Sequence, residues 1–269
     1  MSIKTAASKL FSLFPDGLLK DRVRVYLYNR SHQKEFSMSK KHKIWIASYP
    51  AFDLKFNNSI VPYHVLQTNF LFTHHFPKDP IDILIDAGAY IGSFSIYVKN
   101  KYKNIKKIIA LEPDPLNRNV LNENIVLNNL SEIEVLHYGL WNKRDTLSFF
   151  SSQKLASSVF DSGIDRDKIT IDTDTLDSLL KGVSGKRIFI KMNIEGAELE
   201  ALTGCSETIK NNKVHFAIAA DHNVGGELTQ KRVEDICRSF NLSVAIFKKD
   251  QYITVYASND VAYDSAIIS

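Results

Sequence analysis

From residue 81 onward, short apolar runs alternate with amphipathic stretches, and this alternation constrains the fold more than any other feature of the chain. "IDILIDAGAY" is an apolar run that stops at Gly88. "SFSIYVKNKY" follows, with Phe94, Tyr97 and Val98 on one helical face. A second run, "KKIIALEP", leads into "DPLNRNVLNENIVLNN", where Asp114 can cap a helix and Pro115 suits its first position. "IEVLHYGLW" reads as a third strand. "DTLSFFSS" and "KITIDTDT" read as an extra strand pair, and "LDSLLKG" as a short helix. "RIFIKMNIE" is a fourth core strand, followed by one helix over "GAELEALTGCSETIKN". "KVHFAIAADH" is a fifth strand, and "LTQKRVEDICRSF" a helix with Val233, Ile236, Cys237 and Phe240 on one face. "LSVAIFKKDQYITVYASN" closes the chain as a hairpin turning around Lys248-Lys249-Asp250.

Strands that alternate with helices predict an α/β fold: a doubly wound, mostly parallel sheet with helices on both faces. Residues 81–269 form this domain, with a C-terminal antiparallel hairpin, and residues 1–80 precede it as a basic extension and lead-in strands. Residues 1–43 hold ten lysines and arginines against three acids, although the whole chain has a formal net charge of only +4. The basic character therefore belongs to an arm, and no general affinity for nucleic acid follows. Leu10, Phe11 and Phe14 share a helical face in that arm, and Pro15 divides it into two short segments. Such an arm either packs on its own domain or lies on an anionic membrane surface.

In open parallel sheets, ligands bind beyond the carboxyl ends of the strands. There the chain places Asp86-Ala87-Gly88-Ala89-Tyr90-Ile91-Gly92. Gly88 permits a hard turn and close backbone approach, Ala89 keeps its position small, and Gly92 lets the next helix pack tightly. Glu112 ends the second strand, held extended by Pro113, where an acid can accept hydrogen bonds from two ribose hydroxyls. Leu140, at the end of the third strand, completes this candidate cofactor set. A nicotinamide dinucleotide would fit the same turn and acid, but Gly-x-Gly-x-x-Gly is absent and Asp86 would repel phosphates. A cation suits Asp86 better, and S-adenosylmethionine carries a sulfonium and an ammonium.

"DAGAYIGSFS", "ALEPDPLNRNVLNEN", "TLDSLL" and "IKMNIEGAELEALTG", in that order and spacing, resemble the FkbM-type family of S-adenosylmethionine-dependent methyltransferases over roughly residues 81–222. The last piece is the most specific, since the family usually shows Lys-x-Asp-x-Glu-Gly-Ala-Glu there. Lys191, Glu195, Gly196, Ala197 and Glu198 match, whereas Asn193 stands where Asp is usual, and Tyr90 where Asn is common. The resemblance implies a class I, Rossmann-like methyltransferase fold, in which a final antiparallel hairpin is usual. It also implies methyl transfer to a hydroxyl of a sugar or natural product, such as a glycan or glycolipid.

Asn193, Glu195, Asp221 and His222 are the candidate catalytic residues, because each follows a core strand at the cofactor end. The Asn193 amide can position an acceptor hydroxyl but cannot serve as a base. Glu195 and His222 can receive the hydroxyl proton. Lys191 reads as a structural partner for a carboxylate, and Glu198 as a stabiliser of the helix start. An ion-paired cluster without chemical role is the alternative. A divalent cation held by Glu195, Asp221 and His222 is another, although no HExxH or Cys/His set is present and no metal is expected. His64, His74 and His75 have no metal-ligand spacing.

Cys205 and Cys237 make neither a disulfide framework nor a CxxC, and read as small buried apolar residues in a reducing, cytoplasmic setting. No apolar run approaches the roughly 18 residues of a membrane span, and Lys4, Lys9 and Pro15 spoil a secretory leader. A nucleic-acid methyltransferase guided by the arm, or a non-catalytic nucleotide-binding adaptor, are the competing functions. The first lacks Asn-Pro-Pro-Tyr or a Pro-Cys strand end, and the second does not explain Asp86, Gly88, Gly92 and Glu112 together.

Overall fold

The computed structural model describes residues 37–41, 44–56, 71–151, 167–263 and 267–268, with Val23, Tyr26 and Arg30. The basic arm over residues 1–43 lies almost entirely outside these residues, as does His64. The first described strands form an antiparallel sheet of β1 (Ser37–Lys41), β2 (Ile44–Ser48) and β3 (Asp53–Phe56).

The main unit follows the predicted alternation. In order come β4 (Ile81–Ala87), α1 (Ser93–Lys101), β5 (Ile105–Leu111), α2 (Pro115–Leu127) and β6 (Ile133–Leu136). A side layer holds β7 (Gly139–Leu140), β8 (Asp145–Ser151) and β9 (Asp167–Asp174), with β9 in the middle, and α3 (Leu176–Leu179) follows. Then come β10 (Arg187–Met192), α4 (Glu198–Thr203), α5 (Ser206–Asn211) and β11 (Lys213–Ala219). The chain closes with a small hairpin, β12 (Asn223–Val224) and β13 (Glu227–Leu228), then α6 (Gln230–Ser239), β14 (Ser243–Lys249), β15 (Tyr252–Ser258) and β16 (Ile267–Ile268).

The central sheet runs β16-β14-β15-β11-β10-β4-β5-β6. Strands β11, β10, β4, β5 and β6 are mutually parallel, and β15 is inserted antiparallel between β11 and β14. The order of succession reverses between β4 and β10, so the crevice for a ligand opens above that pair. One face of the sheet is covered by α1, α2 and the three-stranded sheet, through Phe94, Leu121, Trp45 and Leu54. The other is covered by α4, α5 and α6, through Leu202, Ile209 and Val233. Both cysteines are fully buried there, as small apolar residues should be.

Two expectations are corrected. The predicted single helix over residues 196–211 is two helices, broken at Gly204 and Cys205. A Cβ at Gly204 would stand 2.7 Å from the Trp141 carbonyl oxygen. The second helix is capped from outside, since the Asp177 carboxylate accepts from the backbone N–H groups of Glu207 (3.0 Å) and Thr208 (2.7 Å). The third strand also ends early. It stays in the main sheet only to Leu136, and Gly139–Leu140 leaves to pair with Thr173–Asp174.

The small sheet docks by an asparagine ladder. Asn124 of α2 and Asn128, the C-cap of that helix, face alternate residues of the β3 edge. Asn128 accepts from Asp53 N–H (2.8 Å) and donates to its carbonyl (2.7 Å). Asn124 does the same for Lys55 (2.7 and 3.1 Å) and also donates to the Ile91 carbonyl (2.9 Å). Side-chain amides thereby take the place of a neighbouring strand and satisfy an edge.

Candidate active site

The loop after β4 is held from both sides. Gly88 and Ala89 donate backbone N–H bonds to the Leu111 carbonyl (3.1 and 3.0 Å). Gly88 has φ +72°, and a Cβ there would stand 2.0 Å from the Asn193 carbonyl oxygen. The loops after β4 and β10 therefore touch backbone to backbone, which only glycine allows. At Gly92 a Cβ would meet Leu121 of α2 at 2.3 Å, so that glycine serves helix packing.

Lys191 resolves the oddity of a charge inside β10. It faces Asp86 across the parallel register, and its ammonium is 2.9 Å from that carboxylate. It also donates to the carbonyls of Ala87 (3.2 Å) and Gly88 (2.8 Å), so all three of its protons have acceptors. Ser95 donates to the other Asp86 oxygen at 2.7 Å. Arg118 plays a matching part at the next loop, donating to the carbonyls of Glu112 (2.8 Å) and Pro113 (2.9 Å).

Glu112 is 4% exposed. Its oxygens accept from the backbone N–H groups of Tyr90 (2.7 Å) and Asp114 (3.0 Å), which fixes the carboxylate. Burial raises its pKa to about 7, against the lowering effect of those two bonds and of a hydrogen bond from the Asn117 side chain. Tyr90 itself sits at φ 54°, a left-handed conformation that is uncommon for a bulky residue.

The loop after β10 is tied by Glu198. This fully buried carboxylate accepts from the N–H groups of Ile194 (2.8 Å) and Gly196 (2.9 Å) and lies 3.2 Å from His222 Nδ1. So Glu198 secures the loop as well as the helix start. Glu195 between them has φ 57° and a half-buried side chain. Burial raises its pKa to about 7; Glu198 and Asp221 act with it, while His222 and Lys191 oppose it.

Between these loops lies a solvent-open cleft. Of the ten candidate residues, Gly88, Glu112, Leu140, Asn193 and Glu195 are in its wall. Asp86 is not: it is fully buried and turned to Lys191 and Ser95, and acts on the cleft through the loop they hold. Ala89 and Gly92 shape the turn from outside the wall, and His222 and Asp221 stand off it beside Glu195. Burial works against a charge on His222, but Glu198, Glu195 and Asp221 outweigh it and raise its pKa to about 9. Among the described residues no group of three His, Cys, Asp or Glu could hold a metal ion, so the cation site considered at Glu195, Asp221 and His222 is not formed. His74 and His75 pack as aromatic rings, on Phe247 and Tyr256.

The wall also contains Tyr90, Asn117, Tyr138, Trp141, Ile171 and Thr173. Tyr138 and Trp141 bracket Leu140 at a strand end, which is a readable signal. Ile171 and Thr173 belong to the side layer, and nothing local marks them. The charged side chains of the wall are Glu112 and Glu195, with no lysine or arginine among its described residues.

Comparison with known proteins bears on this cleft directly. The profile of the methyltransferase FkbM domain matches residues 86–250. The methyltransferase sdnD of Sordaria araneosa is 31% identical over 179 residues, covering 51% of this chain and 67% of that one. Methyltransferase 1 of Beauveria bassiana is 27% identical over 154 residues, covering 49% and 61%. The crystal structure of methyltransferase FkbM from Methylobacillus flagellatus superposes with a TM-score of 0.50 at 19% identity, over 74% of this chain but only 51% of that one, and shares the fold. Among the described residues no helix is long and apolar enough to cross a membrane. The profile match takes in every residue of the cleft wall, from Gly88 to Ala197, and the chain belongs to the FkbM family of methyltransferases.

Proposed function

We propose that the chain is an S-adenosylmethionine-dependent O-methyltransferase whose acceptor is a hydroxyl, that of a sugar in a glycan or glycolipid. The observation that carries this reading is the charge of the cleft wall: two carboxylates, Glu112 and Glu195, and no lysine or arginine among its described residues. Such a wall disfavours a pyrophosphate and favours a positively charged ligand. The residues fit that ligand. Glu112 stands in the wall at a strand end, where a carboxylate can accept from ribose hydroxyls, and Gly88 leaves room for close approach. When bound, the cofactor supplies an electrophilic methyl carbon.

The chain's own residues bind, orient and take up a proton. Asn193 and Glu195 share the wall at the end of β10. An amide that can donate or accept, beside a carboxylate, suits an acceptor bearing several hydroxyls. With its pKa raised to about 7, Glu195 is matched to removing a hydroxyl proton near neutral pH. Alignment in the cleft should provide most of the rate.

Two measurements test this. Calorimetry should show S-adenosylmethionine binding to wild type, and an affinity loss in Glu112→Ala of about 1.5–3 kcal/mol, the range for a charged hydrogen-bond partner. Tight NADH binding in its place overturns the cofactor. Transfer of a labelled methyl group to glycan and polar-lipid extracts should yield an alkali-stable ether. An alkali-labile methyl ester would mean a carboxyl acceptor and would overturn the hydroxyl assignment.

A further inference from the structure

His222 is held between two glutamates. Its Nδ1 lies 3.2 Å from Glu198 Oε1 and its Nε2 3.8 Å from Glu195 Oε2. Glu198 is fixed by two backbone N–H groups, and the Thr229 N–H donates to the His222 carbonyl at 2.9 Å. The ring is therefore anchored on one nitrogen and aimed at Glu195 with the other. Three carboxylates face it: Glu198 from α4, Glu195 from the loop after β10, and Asp221 from its own strand end. Lys191, a second cation that acts on Glu195, has its protons committed to Asp86 and the Ala87 and Gly88 carbonyls. Only Glu195 of this cluster is in the cleft wall.

We propose that His222 is a positioning residue, a charged imidazolium anchored by Glu198 that orients the Glu195 carboxylate and holds down its proton affinity. In the reaction the acceptor O–H bond breaks, its proton goes to Glu195, and the electron pair stays on oxygen. His222 keeps its own proton throughout. The carboxylate that takes the proton is thus set by a cation outside the substrate's reach. Such a cation offsets the burial that pushes Glu195 upward.

The inference rests on Glu195 being the base, but its test uses neither cofactor nor acceptor. The full chain is labelled with ¹⁵N-histidine and ¹³C-carboxyl glutamate and titrated by NMR, with His222→Gln assigning the ring. The His222 ring should titrate near 9 in wild type. Glu195 should titrate near 7, and its midpoint should rise by about one unit or more in His222→Gln. If that variant does not fold, Glu195→Gln reads the same coupling from the other side, because the effect is reciprocal: the His222 midpoint should fall by a similar amount. A His222 that titrates near its ordinary value in wild type, or one that Glu195→Gln does not move, overturns the proposal. Coupling found in a protein that transfers no methyl group would leave the pair intact and sink the functional reading alone.

Discussion

The Lys191 ammonium and the Asp86 carboxylate are register partners across the β10–β4 pair, 2.9 Å apart, with side chains 5% and 0% exposed. Neither faces the cleft. The pair matters because the same ammonium grips the Ala87 and Gly88 carbonyls and so sets the floor of the site.

Breaking one partner should be costly. Lys191→Met leaves a buried, uncompensated carboxylate and should destabilise the fold by about 3–5 kcal/mol. The double variant Lys191→Met/Asp86→Asn removes the stranded charge and should recover part of that loss, but not ligand affinity, since the loop carbonyls remain unheld. Denaturant unfolding and calorimetry on the same proteins check both halves. Additive stability losses would refute the coupling.

Gly88 and Gly225 offer a paired test of close approach. Both have positive φ, +72° and +69°, but a Cβ at Gly225 meets nothing within 4 Å. Alanine at Gly225 should therefore cost only the left-handed penalty, about 1–2 kcal/mol. Alanine at Gly88 must in addition push the Asn193 backbone away, so it should lose stability further and abolish cofactor binding. Equal effects at the two sites would show that the loop contact is slack.

The strand ends were the legible part of this chain, for a physical reason. Strands such as Ile188–Ile190 are buried on both faces and write continuous apolar runs, and a polar residue just past such a run must face a crevice. Gly88, Glu112, Asn193 and Glu195 follow such strands and reach the cleft, and Leu140 reaches it from the side layer. What was not legible depends on partners far away in sequence. Asp86 reads as a ligand contact until Lys191, 105 residues on, is seen to occupy it. The break at Gly204 depends on Trp141 and on a cap from Asp177, neither of them local. Thr173 and Ile171 enter the wall because β9 lies in the separate side layer that Gly139–Leu140 joins, which periodicity cannot report.

The asparagine ladder should fail locally. Asn124→Ala strands the Lys55 N–H and the Lys55 and Ile91 carbonyls, at a cost of about 1–3 kcal/mol for unmet buried groups. Hydrogen exchange should then quicken at the Lys55 amide while amides of the central strand β4 keep their protection. Because Asn124 also holds Ile91, the glycine turn should loosen and cofactor affinity should drop. Unchanged exchange at Lys55 would mean that the small sheet is held by its apolar contacts alone.

Acid should act first on the opposite end of the sheet, where His215 of β11 lies between Ser258 Oγ at Nδ1 and Asp260 Oδ2 at Nε2, each 3.2 Å away. Burial lowers the His215 pKa, against the raising influence of Asp260. Burial alone would raise Asp260, but hydrogen bonds from Arg187, Lys213 and His215 outweigh it and hold its pKa well below the usual carboxylate range. The signs agree. A histidine with a lowered folded pKa takes up its proton in the unfolded chain first, so its contribution is lost as pH falls from about 6.5. A carboxylate with a lowered folded pKa keeps its contribution until the pH falls below about 4. Glu112 and Glu195, raised to about 7, and His222, raised to about 9, pull the other way and favour the folded state as pH falls. The comparison must therefore be between proteins. Thermal melting of wild type and His215→Gln from pH 8 to pH 4 should give curves that converge as pH falls from 6.5 to 5, because only wild type loses the histidine contribution there. Parallel curves across that window would show that His215 has the same proton affinity folded and unfolded, and that the network it joins is indifferent to acid.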